Sequence, residues 1–279
     1  MNSLEMRLFL TENGSVFRHI PKGRNSMLYY GISDTGRKRT VNQDSFFAEF
    51  VIDGCLLLAV CDGMGGANGG NVASSLALSR FADSLKQTLP VDRTSSDTQK
   101  KISDALRRAV LVANEEVYAR ASEDPELSGM GTTLVAALIC GHGLYIVNVG
   151  DSRLYAIGRK SISLLTHDHS FVQLLVDMGE MTEKEAAKSP QKNIITKAIG
   201  TESAVEPDLF FHNLDDLGAT HLLLCSDGLT NFISEEKIRS IASGAQEEKD
   251  IVAACEKLIG TANKNGGGDN ITAILLKLQ

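Results

Sequence analysis

Five aspartates share one position in this chain: each lies where an apolar run stops or starts, beside glycine or a short polar turn. Leu56–Cys61 runs into Asp62-Gly63, Leu144–Val149 into Gly150-Asp151, and His221–Cys225 into Ser226-Asp227-Gly228. Gly266-Gly267-Gly268-Asp269 opens the last apolar run, and Asp44 immediately precedes Ser45–Phe50. A single Asp-Gly pair marks a turn. Five acids at the edges of buried strands are harder to explain that way, because each projects a carboxylate from a rigid frame onto a loop rim. If the strand ends converge, the carboxylates repel, and a hard cation is what would hold them ionised together. All-oxygen, carboxylate-rich sites favour Mg²⁺ or Mn²⁺ over zinc. Two such ions about 3.5–4 Å apart are a known arrangement for phosphoryl hydrolysis.

Other reactive residue types carry weaker signals. Arg39 reads either as a solvated member of Arg37-Lys38-Arg39 or as a planar fork for phosphate oxygens. His167 and His169 flank Asp168, but the stretch runs into a helix-capping pattern at Ser170, and we read it as a loop-to-helix junction rather than a ligand pair. The five cysteines, Cys55, Cys61, Cys140, Cys225 and Cys255, are odd in number and contain no CxxC. Buried reduced thiols are the simplest expectation, and a thiolate zinc site is not expected. The sequons at Asn13 and Asn270 are discounted, since no secretory signal is readable and Asn270 adjoins Asp269.

The elements that must position these acids are mostly short strands. The expected strands are Leu28–Ile32, Ser45–Phe50, Cys55–Cys61, Thr132–Cys140, Leu144–Val149, Arg153–Ile157, His221–Cys225 and Ile271–Leu278. Hairpin spacing, as across Cys140-Gly141-His142-Gly143, implies mainly antiparallel pairing. Helical spacing covers 71–89 and 99–121. Shorter capped helices are expected over Phe171–Met178, Glu183–Lys188 and Glu235–Ala242, with a last long helix over Asp250–Asn263. Two packed sheets flanked by helices follow, in the α+β class and as one domain. Residues 1–27 form an extension that either packs as an edge strand or stays mobile.

Composition narrows the function. The 279 residues carry a net charge of −7, the wrong sign for a general nucleic-acid binder. Aromatics are 5% and Trp is absent, which argues against base stacking. The longest apolar runs, such as the seven residues Cys55–Cys61, fall short of the ~20 a membrane span needs. A cytoplasmic protein without membrane insertion is the expectation.

The chain also resembles a known family. Arg39–Asp44 (RTVNQD), Asp62–Gly66 (DGMGG), Gly129–Thr133 (GMGTT), Gly150–Arg153 (GDSR), Ser226–Leu229 (SDGL) and Gly268–Asn270 (GDN) match, in order, the motifs of the metal-dependent type 2C protein serine/threonine phosphatases. The likeness covers 28–279 and is greatest to the short bacterial members. It implies a four-layer α/β/β/α sandwich, with two central antiparallel sheets flanked by helices and a small flap subdomain at about 165–195. It implies hydrolysis of phosphoserine and phosphothreonine by a hydroxide bridging two Mn²⁺ or Mg²⁺ ions. By the same resemblance Asp62 bridges the ions, Gly63 ligates through its carbonyl, Asp227 and Asp269 complete the pair, and Asp44 holds bound waters. Asp151 with Asp227 would hold a third, weaker ion, and Arg39 the substrate phosphate. The implied partners are phosphorylated proteins and a cognate Ser/Thr protein kinase, with the phosphatase acting as a monomer.

Two residues depart from the family pattern. Gln43 stands where a glutamate is usual, which removes a negative charge near the ions. Met64 replaces the histidine that some eukaryotic members carry as a proposed general acid, so the proton donor to the leaving alkoxide is unassigned. Two rival readings remain at this level: a same-fold hydrolase of small phosphomonoesters, and an inactive phosphatase-like binding module. The second would be expected to lack metal ligands, whereas Asp62, Asp227 and Asp269 are present.

Overall fold

The computed structural model describes residues 16–19, 27–52, 54–66, 69–89 and 97–278. In chain order the strands are β1 (Val16–His19), β2 (Leu28–Asp34), β3 (Asp44–Ile52), β4 (Cys55–Met64), β5 (Gly131–Thr132), β6 (Leu134–Cys140), β7 (Gly143–Val149), β8 (Arg153–Ile157), β9 (Ile162–Leu164), β10 (Asp208–Asn213), β11 (His221–Cys225) and β12 (Ile271–Lys277). The helices are α1 (Gly69–Thr88), α2 (Thr98–Glu123), α3 (Phe171–Asp177), α4 (Glu183–Ala186), α5 (Asp227–Thr230), α6 (Glu235–Ala242) and α7 (Glu248–Lys264). One sheet has the order β10-β7-β6-β4-β3 and the other β1-β2-β12-β11-β8-β9, while β5 is a short addition to β4. Every pairing between these strands is antiparallel.

Strand β4 shows why the apolar runs are continuous rather than alternating. Side chains alternate across a strand, yet both faces of β4 are covered. Cys55, Leu57, Ala59 and Cys61 face the helix layer with Phe81, Leu85, Leu106 and Val110. Leu56, Leu58 and Val60 face the other sheet, against Leu222, Leu224, Ile274 and Leu276. On the far side, Leu223, Cys225 and Leu275 pack on Ile238, Ile251 and Leu258 of α6 and α7. The result is the four-layer sandwich that the resemblance implies. Each fully buried large apolar side chain contributes roughly 1.5–3 kcal/mol, so contacts between layers, more than helix propensity, hold α1 and α2 in place. A strand buried on both faces can shed its apolar character only at its ends, and that is where the aspartates sit.

Several expectations change in detail. Val16–His19 pairs with Leu28–Gly31, so this piece of the N-terminal extension is an edge strand. The expectation for 1–15 and 20–26 lies outside the described residues. The run Thr132–Cys140 is interrupted at Thr133, whose backbone and hydroxyl both bond to Asp62 instead. Strands β9 and β10 and the single-turn helix α5 were not legible as elements.

The expectation of five reduced thiols is wrong for two of them. Cys55 and Cys140 are direct cross-strand partners on β4 and β6, with Cα atoms 4.4 Å apart, and form a disulfide. That separation is typical of a non-hydrogen-bonded antiparallel pair and lies within disulfide reach. Cys61, Cys225 and Cys255 are free and buried. Among the described residues no helix is long and apolar enough to cross a membrane.

Candidate active site

The five aspartates meet at one edge of the sandwich, and they come from both sheets. Asp44 and Asp62 stand directly opposite each other on β3 and β4. Asp151 follows β7 in the same sheet, whereas Asp227 opens α5 just after β11 and Asp269 precedes β12 in the other. Asp62, Asp151, Asp227 and Asp269 line a cavity of about 460 Å³ together with Arg39, Gln43, Gly63 and Asn193. Asp44 lies off that lining and is buried, 9% exposed.

Close backbone approach explains the glycines beside these acids. A Cβ on Gly63 would sit 2.0 Å from the Gly70 carbonyl oxygen and 2.6 Å from that of Gln43. On Gly228 it would sit 1.9 Å from the Asn270 carbonyl oxygen. Both contacts are with backbone, which cannot yield, so the aspartate-bearing turns can pack this tightly only with glycine. Asp62 is further fixed through its own backbone. Its N–H donates to Thr133 Oγ1 at 2.9 Å, and its carbonyl accepts from Thr133 N–H and Thr132 Oγ1, each at 2.9 Å.

Burial, and after it the neighbouring charges, raises the proton affinity of Asp44, Asp62, Asp151 and Asp227. Burial, first, and then the charges of Asp44 and Asp227 push Asp62 well above the usual carboxylate range. Burial and then Asp227 do the same for Asp151. Asp227 is pushed up to about 6 by burial and the Asp269 charge, against hydrogen bonds from Asp62 and Asn231. Asp44 is pushed up to about 7, chiefly by burial, against hydrogen bonds from Thr272 and Ser226. One oxygen of Asp44, Oδ1, is buried with no hydrogen-bond partner.

Arg39 forms a bidentate pair with Asp269, Nε to Oδ1 at 2.9 Å and Nη2 to Oδ2 at 3.0 Å, with half its side chain exposed. As the side chains stand, no three acidic, histidine or cysteine side chains among the described residues close on one point at ligand distance. Asp269 is drawn towards Arg39, and Asp227 Oδ2 accepts from Asn231 Nδ2 at 2.9 Å. The donor set still fits divalent cations. It is all oxygen, its charges are mutually destabilising, and a buried carboxylate oxygen is left unsatisfied.

The two histidines are held by protein partners. His169 Nδ1 accepts from Gly150 N–H at 3.0 Å, and its Nε2 lies 3.2 Å from Asp208 Oδ2. Burial and Lys197 push its pKa below the usual histidine value. His167 Nε2 pairs with Asp177 at 2.8 Å. Asn270 is 4% exposed; its amide donates to Thr35 and Val41 carbonyls and its Oδ1 accepts from Gln43 N–H, which leaves no room for a glycan. Gln43 turns its side-chain amide to the Gly66 carbonyl at 3.2 Å.

A second cavity of about 500 Å³ shares Asp151, Asn193 and Asp227 with the first, and α3 and α4 form part of its wall. Thr182 and Glu185 form the expected capping box at α4, and Ser170 caps α3 by accepting from Gln173 N–H. The segment's stems meet in an isolated bridge between Ser170 and Ile195.

Residues 35–275 match the family model for protein phosphatase 2C. The chain belongs to that family. This phosphatase is 37% identical over 248 residues to the serine/threonine phosphatase stp of Listeria welshimeri, covering 88% of this chain and 93% of that protein. Its fold is similar to the crystal structure of the serine/threonine phosphatase Stp1 from Staphylococcus aureus, with a TM-score of 0.83, 35% identity, and coverage of 94% and 98% of the two chains. It is also similar to the catalytic domain of the serine/threonine protein phosphatase PstP in complex with two manganese ions, with a TM-score of 0.72, 34% identity and coverage of 90% and 97%. The chain is therefore an enzyme of the phosphoprotein phosphatase class.

Some contributors were not anticipated from the sequence. Thr133, Ser226 and Thr272 orient the aspartates, and Asn231 and Asn193 flank Asp227. Their one visible signal is adjacency, because Thr133 and Ser226 lie inside motifs chosen for their glycines and acids.

Proposed function

We propose that this phosphatase hydrolyses phosphoserine and phosphothreonine in proteins at a centre of two Mn²⁺ or Mg²⁺ ions, with a weaker third. The observation that carries this reading is the convergence of carboxylates from both sheets on one cavity. Asp62, Asp227, Asp269 and the Gly63 carbonyl would hold the pair, Asp44 would orient the surrounding waters, and Asp151 with Asp227 would hold the third ion. When bound, the ions supply acidification of a water and neutralisation of charge on the phosphoryl oxygens.

The chain's own residues do the rest by positioning. Arg39 commits Nε and Nη2 to Asp269, which leaves Nη1 and the second Nη2 proton for phosphate oxygens. Its exposure lets the guanidinium meet a substrate at the rim while Asp269 steers it. Gly63 and Gly228 keep the acidic turns close, and Thr133 stops the Asp62 backbone from shifting. The substrates imply a Ser/Thr protein kinase in the same compartment, which we take to be the cytoplasm. A monomer suits a sandwich whose sheets are already covered by helices.

The test is hydrolysis of a phosphothreonine peptide in Mn²⁺, in Mg²⁺ and in EDTA. Turnover with either ion and none in EDTA is expected. Undiminished turnover in EDTA would overturn the reading.

A further inference from the structure

The site's carboxylates are divided between two sheets, so their spacing depends on what fixes one sheet against the other at this edge. A buried run of hydroxyls crosses that gap. Asp44 Oδ2, on β3, accepts from Ser226 Oγ at 2.8 Å and from Thr272 Oγ1 at 2.6 Å. Thr272 lies on β12 and Ser226 directly follows β11, both in the other sheet. Thr272 Oγ1 is also 2.7 Å from Ser33 Oγ on β2, and Ser33 Oγ accepts from Asn42 Nδ2 at 2.7 Å. Thr272 N–H donates to Ser226 Oγ at 3.0 Å. Neither Ser226 nor Thr272 has exposed surface.

Counting protons gives the run a direction. A hydroxyl has one proton to donate, and an ionised carboxylate only accepts. Thr272 gives its proton to Asp44, so Ser33 must donate in the Ser33–Thr272 bond, and the oxygen of Ser33 takes the Asn42 amide. Ser226 also gives its proton to Asp44 and takes the Thr272 N–H. Every donor points towards one oxygen. Oδ2 is saturated by charge-assisted bonds from the opposite sheet, while Oδ1 is left without a partner. The two donors also sit on the segments that carry that sheet's acids, with Ser226 adjoining Asp227 and Thr272 three residues after Asp269.

We propose that Thr272 and Ser226 are positioning residues of the metal centre. They clamp Asp44, and with it the β3–β4 edge bearing Asp62, at a fixed spacing from Asp227 and Asp269, and they reserve Oδ1 for the water shell of a bound cation. The inference rests on reading the cavity as a Mn²⁺ or Mg²⁺ site. Neither residue lines the cavity, so both act through Asp44.

Two substitutions separate the proton from the packing. Thr272→Val keeps the shape and removes the donor, whereas Thr272→Ser keeps the donor and removes a methyl. Mn²⁺ is titrated calorimetrically into the EDTA-stripped full chain, and kcat and KM for a phosphothreonine peptide are measured at saturating Mn²⁺. Thr272→Val and Ser226→Ala should each weaken Mn²⁺ binding at least tenfold and lower kcat with KM within twofold of the parent. Thr272→Ser should restore Mn²⁺ affinity to within threefold. If Thr272→Val does not fold, Ser226→Ala carries the comparison alone. Parental Mn²⁺ affinity in both donor-deleted variants, or equal losses in Thr272→Val and Thr272→Ser, would overturn the clamp while leaving the metal reading intact. A parent protein that takes up no Mn²⁺ would remove the metal reading and the clamp with it.

Discussion

Asp227 carries a charge that the fold resists. A carboxyl whose pKa is raised on folding, as here to about 6, stabilises the folded state where it is protonated. Its contribution is present in full below the unfolded value near 3.8 and is lost as pH rises through about 6. Asp44 extends that window to about pH 7. In EDTA, Asp227→Asn should therefore be more stable than the parent at pH 7.5, by on the order of a few kcal/mol, with the gap closing towards pH 4. Scanning calorimetry of both proteins across that range measures it, and a less stable variant at pH 7.5 would contradict the account. The neighbouring residues separate binding from chemistry. Arg39→Ala should raise the KM for phosphopeptide more than it lowers kcat, as lost ground-state binding does; an unchanged KM would return Arg39 to the solvated basic cluster. Asp151→Ala should still bind two Mn²⁺ tightly while turnover falls, and calorimetric loss of the tight pair would show that Asp151 belongs to it.

Helices α3 and α4 differ in kind from the sandwich they adjoin. Leu174 and Met178 are 42% and 62% exposed, and Val172 and Ala186 are the buried residues of the two helices. So little buried area implies local opening well below the global unfolding energy. Amide exchange across 171–187 should be much faster than in β4, and equal protection would count against a separable flap. The same segment walls the cavity next to Asp151 and Asp227, where a peptide flanking the phosphoresidue would lie. Charge reversal at Glu183 or Lys184 should alter relative rates among phosphopeptides and leave a small aryl phosphate almost unaffected. Equal losses on both would place these residues in the chemistry instead.

Across the whole molecule, legibility in the sequence followed burial. Strands covered on both faces, such as β4, β6 and β11, appear as unbroken apolar runs, and their ends mark the rim where the acids gather. Edge strands lack that mark: β9 is mostly exposed, and β10 runs Asp208–Asn213 with no fully buried residue. The Cys55–Cys140 pairing was invisible because it depends on the register of β4 against β6, across 85 residues of chain. The hydroxyls of Ser226 and Thr272 carry no sequence signal for a similar reason, since a serine or threonine gains its role from a partner that only the packing of two sheets supplies. That same packing is what would bring carboxylates from both sheets into one metal centre. Calorimetric titration of Mn²⁺ into the EDTA-stripped parent and into Asp62→Asn tests it most directly. Two tight ions in the parent, with that tight pair lost in a folded Asp62→Asn, is the predicted result; no uptake by the parent, or an unchanged pair in Asp62→Asn, would contradict it.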